Sequence, residues 1–141
     1  MVEYIGSDLA AELMAHILTI IDPDTEEPQT FYAGFSSNAV SDNAELYLAG
    51  EPDEYYRQEV TLVVSEDDPT ALVNTEDIIW FPVGECTIAS FFISNEAETN
   101  QSPVLFANNL ADTYTLNDGS GLIVRAGKLV IKYRDDLIIW S

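Results

Sequence analysis

The sequence predicts a mainly β protein: an antiparallel β-sandwich, jelly-roll-like, with one N-terminal amphipathic α-helix. Three observations carry this expectation. Helical spacing of apolar residues is confined to the first 21 positions. Every later apolar run is short, and clusters of turn-forming residues separate the runs.

The helix is expected over 7–21. Ser7 is a suitable N-cap and Asp8 places a negative charge at the positive end of the helix dipole. Leu9, Leu13, Ile17 and Ile21 recur every fourth residue and form an apolar stripe, with Met14 and Ile20 beside it. Asp22-Pro23 ends the helix, because a residue before proline is driven out of the α region.

Strands follow from Thr30 onward. Thr30–Ser36 is rich in aromatics. Tyr55–Val64 alternates, placing Tyr56, Val60, Leu62 and Val64 on one face and Arg57, Glu59 and Thr61 on the other. Further strands are expected at Asp77–Phe81, Cys86–Ile93, Pro103–Ala107, Thr113–Leu116, Gly121–Val124 and Lys128–Tyr133. Glu66-Asp67-Asp68-Pro69, the polar run 94–102, Asn117-Asp118-Gly119 and Ala126-Gly127 supply turn chemistry between them. The organisation expected is a helix and acidic loop over 1–29, a sandwich over 30–134, and an apolar arm or edge strand over 135–141.

Charge narrows the function. The chain has 141 residues, of which 25 are acidic and 5 basic, giving a net charge of −20. A nucleic-acid binder needs a basic surface that this composition cannot build. A cationic helix lying on a membrane is excluded likewise, and Leu9–Ile21 is too short and too interrupted to span one. No lysine or arginine precedes Arg57, so no secretory leader is expected. Arg125, Lys128, Lys132 and Arg134 form the one locally cationic stretch, suited to meeting the acidic part of a neighbouring copy. An alternative source of the acidity is selection by a high-salt host.

The residues for catalysis are sparse. His16 is the single histidine and lies inside the helix; Cys86 is the single cysteine and opens an apolar strand. Neither has a sequence neighbour that makes a nucleophile–base pair. Asp22, Asp24 and Glu26 alternate like the start of an EF-hand loop, but Glu27 and Ala33 stand where that loop needs glycine and glutamate. A looser Ca²⁺ site on this loop or at Glu66-Asp67-Asp68 stays open. No cofactor motif is present, and no enzyme is expected.

The order of features resembles a family of small tailed-phage virion proteins, often labelled phage tail fibre domain proteins, some of whose relatives decorate capsids. Tyr55, Arg57 and Val60 match a Tyr-x-Arg-x-x-Val segment, preceded by Gly50. Asn74, Phe81 and Pro82 match an Asn-then-Phe-Pro segment. Ala126, Gly127, Leu129 and Ile131 match a closing strand. The likeness covers about residues 8–133. The acidic Glu51–Glu54 and the ending Asp135–Ser141 have no counterpart in it.

The resemblance implies a virion-located structural protein made in the host cytoplasm. Capsid decoration (cement) is the first expectation, with the major capsid protein as partner and a homo-trimer as the natural symmetry. A tail, baseplate or tail-fibre adaptor is the second. A third expectation, from a different class and not implied by the resemblance, is a calcium-dependent carbohydrate-binding module or glycan-active enzyme, with Tyr55, Tyr56 and Tyr114 as candidates for its platform. The residues expected at interfaces are Leu9, Leu13, Ile17, Tyr55, Tyr56, Arg57, Arg125, Lys132 and the apolar group Leu137, Ile138, Ile139 and Trp140. That last group either adds a strand to a neighbour or completes the chain's own sheet.

Overall fold

The computed structural model describes residues 7–20, 26–40, 55–97 and 104–132. The protein is mainly β, with three antiparallel sheets and a single short helix among these residues. Helix α1 spans Ser7–Ile17. The strands are β1 (Phe31–Ser36), β2 (Gln58–Val60), β3 (Leu62–Val64), β4 (Ala71–Asn74), β5 (Ile78–Trp80), β6 (Cys86–Ser94), β7 (Val104–Leu116), β8 (Leu122–Val124) and β9 (Val130–Lys132). They form sheets of order β2-β1-β6-β7, β3-β4-β9 and β5-β8.

One core draws on all three sheets. Phe31, Ala33 and Phe35 of β1 meet Val60, Leu62, Leu72, Ile78, Trp80, Ile88, Ile93 and Leu116. Phe35 is fully buried, and its ring meets Trp80 edge-on at 5.8 Å and Tyr55 at 4.6 Å. Such aromatic pairs add about 0.5–1.5 kcal/mol each beyond area burial. Met14 joins the same core from α1.

Several expectations shift. The helix stops at Ile17, four residues early. Leu18 N–H and Thr19 N–H bond back to the Ala15 and His16 carbonyls, tightening the last turn, and the Thr19 hydroxyl also donates to His16 O at 2.8 Å. The inward face differs too. Met14 is buried and Ile17 and Leu18 are half-buried, whereas Leu9 and Leu13 lie largely exposed. The helix sits beside β3 and β4, and that contact fixes its rotation.

The expected strand Tyr55–Val64 is two strands in different sheets. The chain crosses between sheets at Thr61, whose carbonyl accepts Thr75 N–H at 3.1 Å. Both Val60 and Leu62 stay buried across the corner, so alternation ran through a sheet boundary. Arg57 is buried rather than on a polar face, while Tyr56 is 72% exposed. Strand β4 is not among the expected strands; it follows shortly after the turn at Glu66-Asp67-Asp68-Pro69. The two strands expected at Pro103–Ala107 and Thr113–Leu116 are one strand, β7. Its middle is exposed and polar, and its register with β6 shifts between Ile88 and Ser90. The closing strand is shorter than expected, since Lys128 N–H bonds to Arg125 O in a turn. Ile21, Pro23, Arg134 and the Leu137–Trp140 group lie outside the described residues.

Two polar ties hold loops to this frame. Asn74 is 2% exposed, and its side chain uses both amide donors and accepts one hydrogen bond. Nδ2 donates to Glu76 O at 2.7 Å and Arg125 O at 3.1 Å, while Oδ1 accepts Leu129 N–H at 2.9 Å. Its backbone carbonyl accepts Gly127 N–H at 2.9 Å. Asn109 clamps Val40 in the same two-handed way, at 2.7 and 2.6 Å.

Removing the Asn74 amide strands three backbone groups at once. Each orphaned buried group costs about 1–3 kcal/mol. Asn74→Ala is therefore expected to lose about 3 kcal/mol of stability, lowering Tm by roughly 10 °C. Urea unfolding followed by circular dichroism measures this; a loss under 1 kcal/mol contradicts the role given to Asn74.

Candidate interaction surfaces

The residues expected at interfaces divide into three groups. Leu9 and Leu13 present apolar surface one helical turn apart, 51% and 45% exposed; Ile20, beyond the end of the helix, is exposed as well. Ile17 packs against the core instead.

Tyr55 and Arg57 act inside the chain. Strand β2 pairs with β1 only from Phe31 to Ala33, so among the described residues no strand pairs with the backbone of Phe35 on that side. The Tyr55 hydroxyl takes its place, donating to Phe35 O at 2.9 Å and accepting Phe35 N–H at 3.3 Å. Arg57 crosses the outer side of the same sheet. Its guanidinium lies 4.9 Å from the Phe92 ring centroid and donates to Glu96 O at 2.8 Å and Ser94 Oγ at 3.3 Å. Gly34 lies under this layer: a Cβ there would come within 2.5 Å of the Phe92 ring and 2.9 Å of the Tyr55 hydroxyl. Of this group Tyr56 is exposed, Tyr55 half-buried and Arg57 buried.

Arg125 and Lys132 pair with acids of the same chain. Arg125 lies 3.5 Å from Asp77, whose other carboxylate oxygen accepts Ala126 N–H at 2.8 Å. Lys132 Nζ meets Asp68 at 2.8 Å. Asp68 also accepts the Thr70 hydroxyl at 2.6 Å and Thr70 N–H at 3.0 Å, closing the turn before β4. The Lys132 ammonium and the two Thr70 donors hold the Asp68 carboxyl down at about 2.

A further apolar face was not anticipated. On the two-stranded sheet, Ile78 and Trp80 point into the core while Ile79 points out, directly opposite Ile123 of β8. Phe81 continues that outer face, 74% exposed, with its ring against Gly121, where a Cβ would sit 2.7 Å away. Val83 extends the patch beyond Pro82. The signal was present: Asp77–Phe81 is apolar at alternate positions on both faces, and a strand at the surface has only one face to bury.

A second feature is a cleft of about 600 Å³. Phe91, Ile93, Phe106, Leu129, Ile131 and Trp80 are among the residues that line it. Trp80 is buried and its indole N–H has no hydrogen-bond acceptor.

His16 is exposed on α1 beside Thr19. Cys86 is half-buried at the start of β6, and burial pushes its thiol pKa up, away from the reactive thiolate. Among the described residues, no three His, Cys, Asp or Glu side chains come together as a metal site, the turn at Glu66-Asp67-Asp68 included. No helix there is long and apolar enough to cross a membrane. No protein-family model, curated protein or solved structure matches the chain.

The Asp68 pair has a pH signature. Its folded pKa, about 2, lies below the ordinary 3.8, so the fold favours the carboxylate. The stabilisation is complete above about pH 4 and disappears as pH falls toward 2. In Lys132→Gln, carbon-13 titration of the Asp68 carboxyl is expected to show a midpoint moved up toward 3.8. An unmoved midpoint refutes the pairing.

Proposed function

We propose that this chain is a non-enzymatic structural protein of a tailed-phage virion, acting as a capsid decoration protein on the major capsid protein lattice. The supporting observation is the outward apolar face Ile79, Phe81, Val83 and Ile123, carried on a chain of net charge −20. Such a face needs a partner to cover it, and the charge opposes indiscriminate association between copies. Leu9, Leu13 and Ile20 give a second apolar surface, suited to contacts around a three-fold axis. The ordered segments Tyr55-x-Arg57-x-x-Val60, Asn74 with Phe81-Pro82, and Gly127-x-Leu129-x-Ile131 supply the resemblance to virion proteins. We take the three sheets, which share one core, as the parts of a β-sandwich.

In this role the apolar face docks on the shell and the acidic remainder faces outward. Binding across subunit seams then opposes the pressure of packaged DNA. Arg57 and Tyr55 serve by keeping β1 and β2 in place rather than by touching the lattice.

Counting this protein against the major capsid protein in purified virions by quantitative mass spectrometry tests the reading. A ratio near one is expected. A ratio of a few per cent moves the protein to the tail or baseplate, and absence from virions removes the virion reading altogether. Phe81→Asp is expected to fold with stability changed by no more than about 0.5 kcal/mol, since its side chain is exposed. The same variant is expected to lose at least tenfold in affinity for empty capsids.

A further inference from the structure

The outer face of the β5-β8 pair has an ordered build. Ile79 lies opposite Ile123. Two residues further on, Phe81 rests its ring against Gly121, where a Cβ would come within 2.7 Å of it. Gly121 leaves room for the ring to lie on the strand, so a largely exposed side chain is still positioned by the fold. An aromatic group held in this way loses little freedom when a partner buries it. Such groups dominate the energetics of interfaces.

Both ends of this face are acidic. Glu76 and Asp77, each exposed, lead into β5. At the far end Val83 is followed by Gly84, whose N–H donates to Asp118 Oδ1 at 3.1 Å, and by the exposed Glu85. Against these four acids stands Arg125, which lies 3.5 Å from Asp77. At 0.1 M salt such charges act over about 10 Å. Nucleic acid and anionic lipid carry the wrong sign for this border. A second copy brings 25 acids and only 5 bases. A protein surface with lysine or arginine around an apolar hollow has the right sign.

We propose that the Ile79, Phe81 and Ile123 face docks on a basic protein surface, with Phe81 filling an apolar socket rimmed by lysine or arginine side chains. The inference rests on the capsid reading and gives the chemistry of the seam that this face takes on the shell. Phe81 supplies the buried contact. Glu76, Glu85 and Asp118 meet the basic rim, which steers the encounter and excludes acidic sockets.

Binding of the full-length protein to empty capsids, measured by sedimentation in 0.1 M and 1 M NaCl, tests this. One variant combines Glu76→Gln, Glu85→Gln and Asp118→Asn; asparagine keeps an oxygen for the Gly84 N–H. A control combines Glu12→Gln, Glu66→Gln and Asp67→Asn, removing equal charge from α1 and from the turn before β4. The first variant is expected to bind about tenfold more weakly than the unaltered protein in 0.1 M NaCl, and the control about equally well. The unaltered protein is expected to lose about tenfold in 1 M NaCl, and the first variant much less. The single Glu85→Gln, on an exposed side chain, gives the same comparison at about twofold should the triple variant fail to fold.

Equal losses in the first variant and the control overturn the proposal in favour of a response to overall charge. Unchanged or tighter binding of the first variant overturns it as well, since the socket then has no basic rim. Failure of the unaltered protein to bind capsids at either salt concentration overturns the capsid reading itself, and this inference with it.

Discussion

Five strands meet at Asn74, through its backbone and its side chain. It ends β4, pairs with Leu62 of β3 through the backbone, and holds the carbonyl of Glu76 just before β5. It also holds the carbonyl of Arg125 just after β8 and the amide of Leu129 just before β9. These contacts fix where the three-stranded and two-stranded sheets stand relative to each other. An aspartate could accept from Leu129 but could not donate to two carbonyls, and a leucine could do neither. The side chain also sits in low-dielectric surroundings, where satisfied hydrogen bonds are strong and missing ones costly. The tie therefore works as a unit.

The core explains why the tie matters. Phe35 stands at the centre of the four-stranded sheet, and Trp80 reaches it from the two-stranded sheet. A two-stranded ribbon has little stability alone. It keeps its place by burying Ile78 and Trp80 against β1 and by the anchors of its ends through Asn74 and Asp77. The outer face bearing Ile79, Phe81 and Ile123 is consequently held on a fixed platform. A surface positioned in this way loses little freedom when a partner covers it.

The sequence made the β class, the single helix and most strand locations legible, because apolar runs and turn chemistry are local signals. Partner choice was not legible. Tyr55–Val64 alternates without interruption, yet Thr61 is a corner between two sheets, and nothing in a period of two marks which sheet a residue joins. Arg57 read as solvent-facing because its charge suits water, whereas a ring, a hydroxyl and a carbonyl distant in sequence make its burial tolerable. The polar centre of β7 read as a loop because an edge strand needs no apolar alternation. Among the surface residues, Leu9, Leu13 and Tyr56 are exposed as an interface requires, but Tyr55, Arg125 and Lys132 are engaged within the chain. The face of β5 and β8 escaped notice because a strand apolar on both sides looks like a buried one.

Charge and apolar exposure together limit what can bind there. Glu76 and Asp77 precede β5, and Glu85 and Asp118 flank the turn at Gly84, so acids stand near the apolar face. Interfaces of this kind pair an apolar centre with a polar rim. A complementary partner needs an apolar socket for Phe81 and cationic or hydrogen-bond-donating groups around it. A second copy of this chain is a poor candidate for that rim, since it has few bases to offer, and Arg125 and Lys132 already face Asp77 and Asp68. In the proposed role, burial of Phe81 would supply attraction, and the acidic rim would decide which apolar sockets are admissible. Specificity on a surface of this kind would come from repulsion of the wrong partner as much as from contact with the right one.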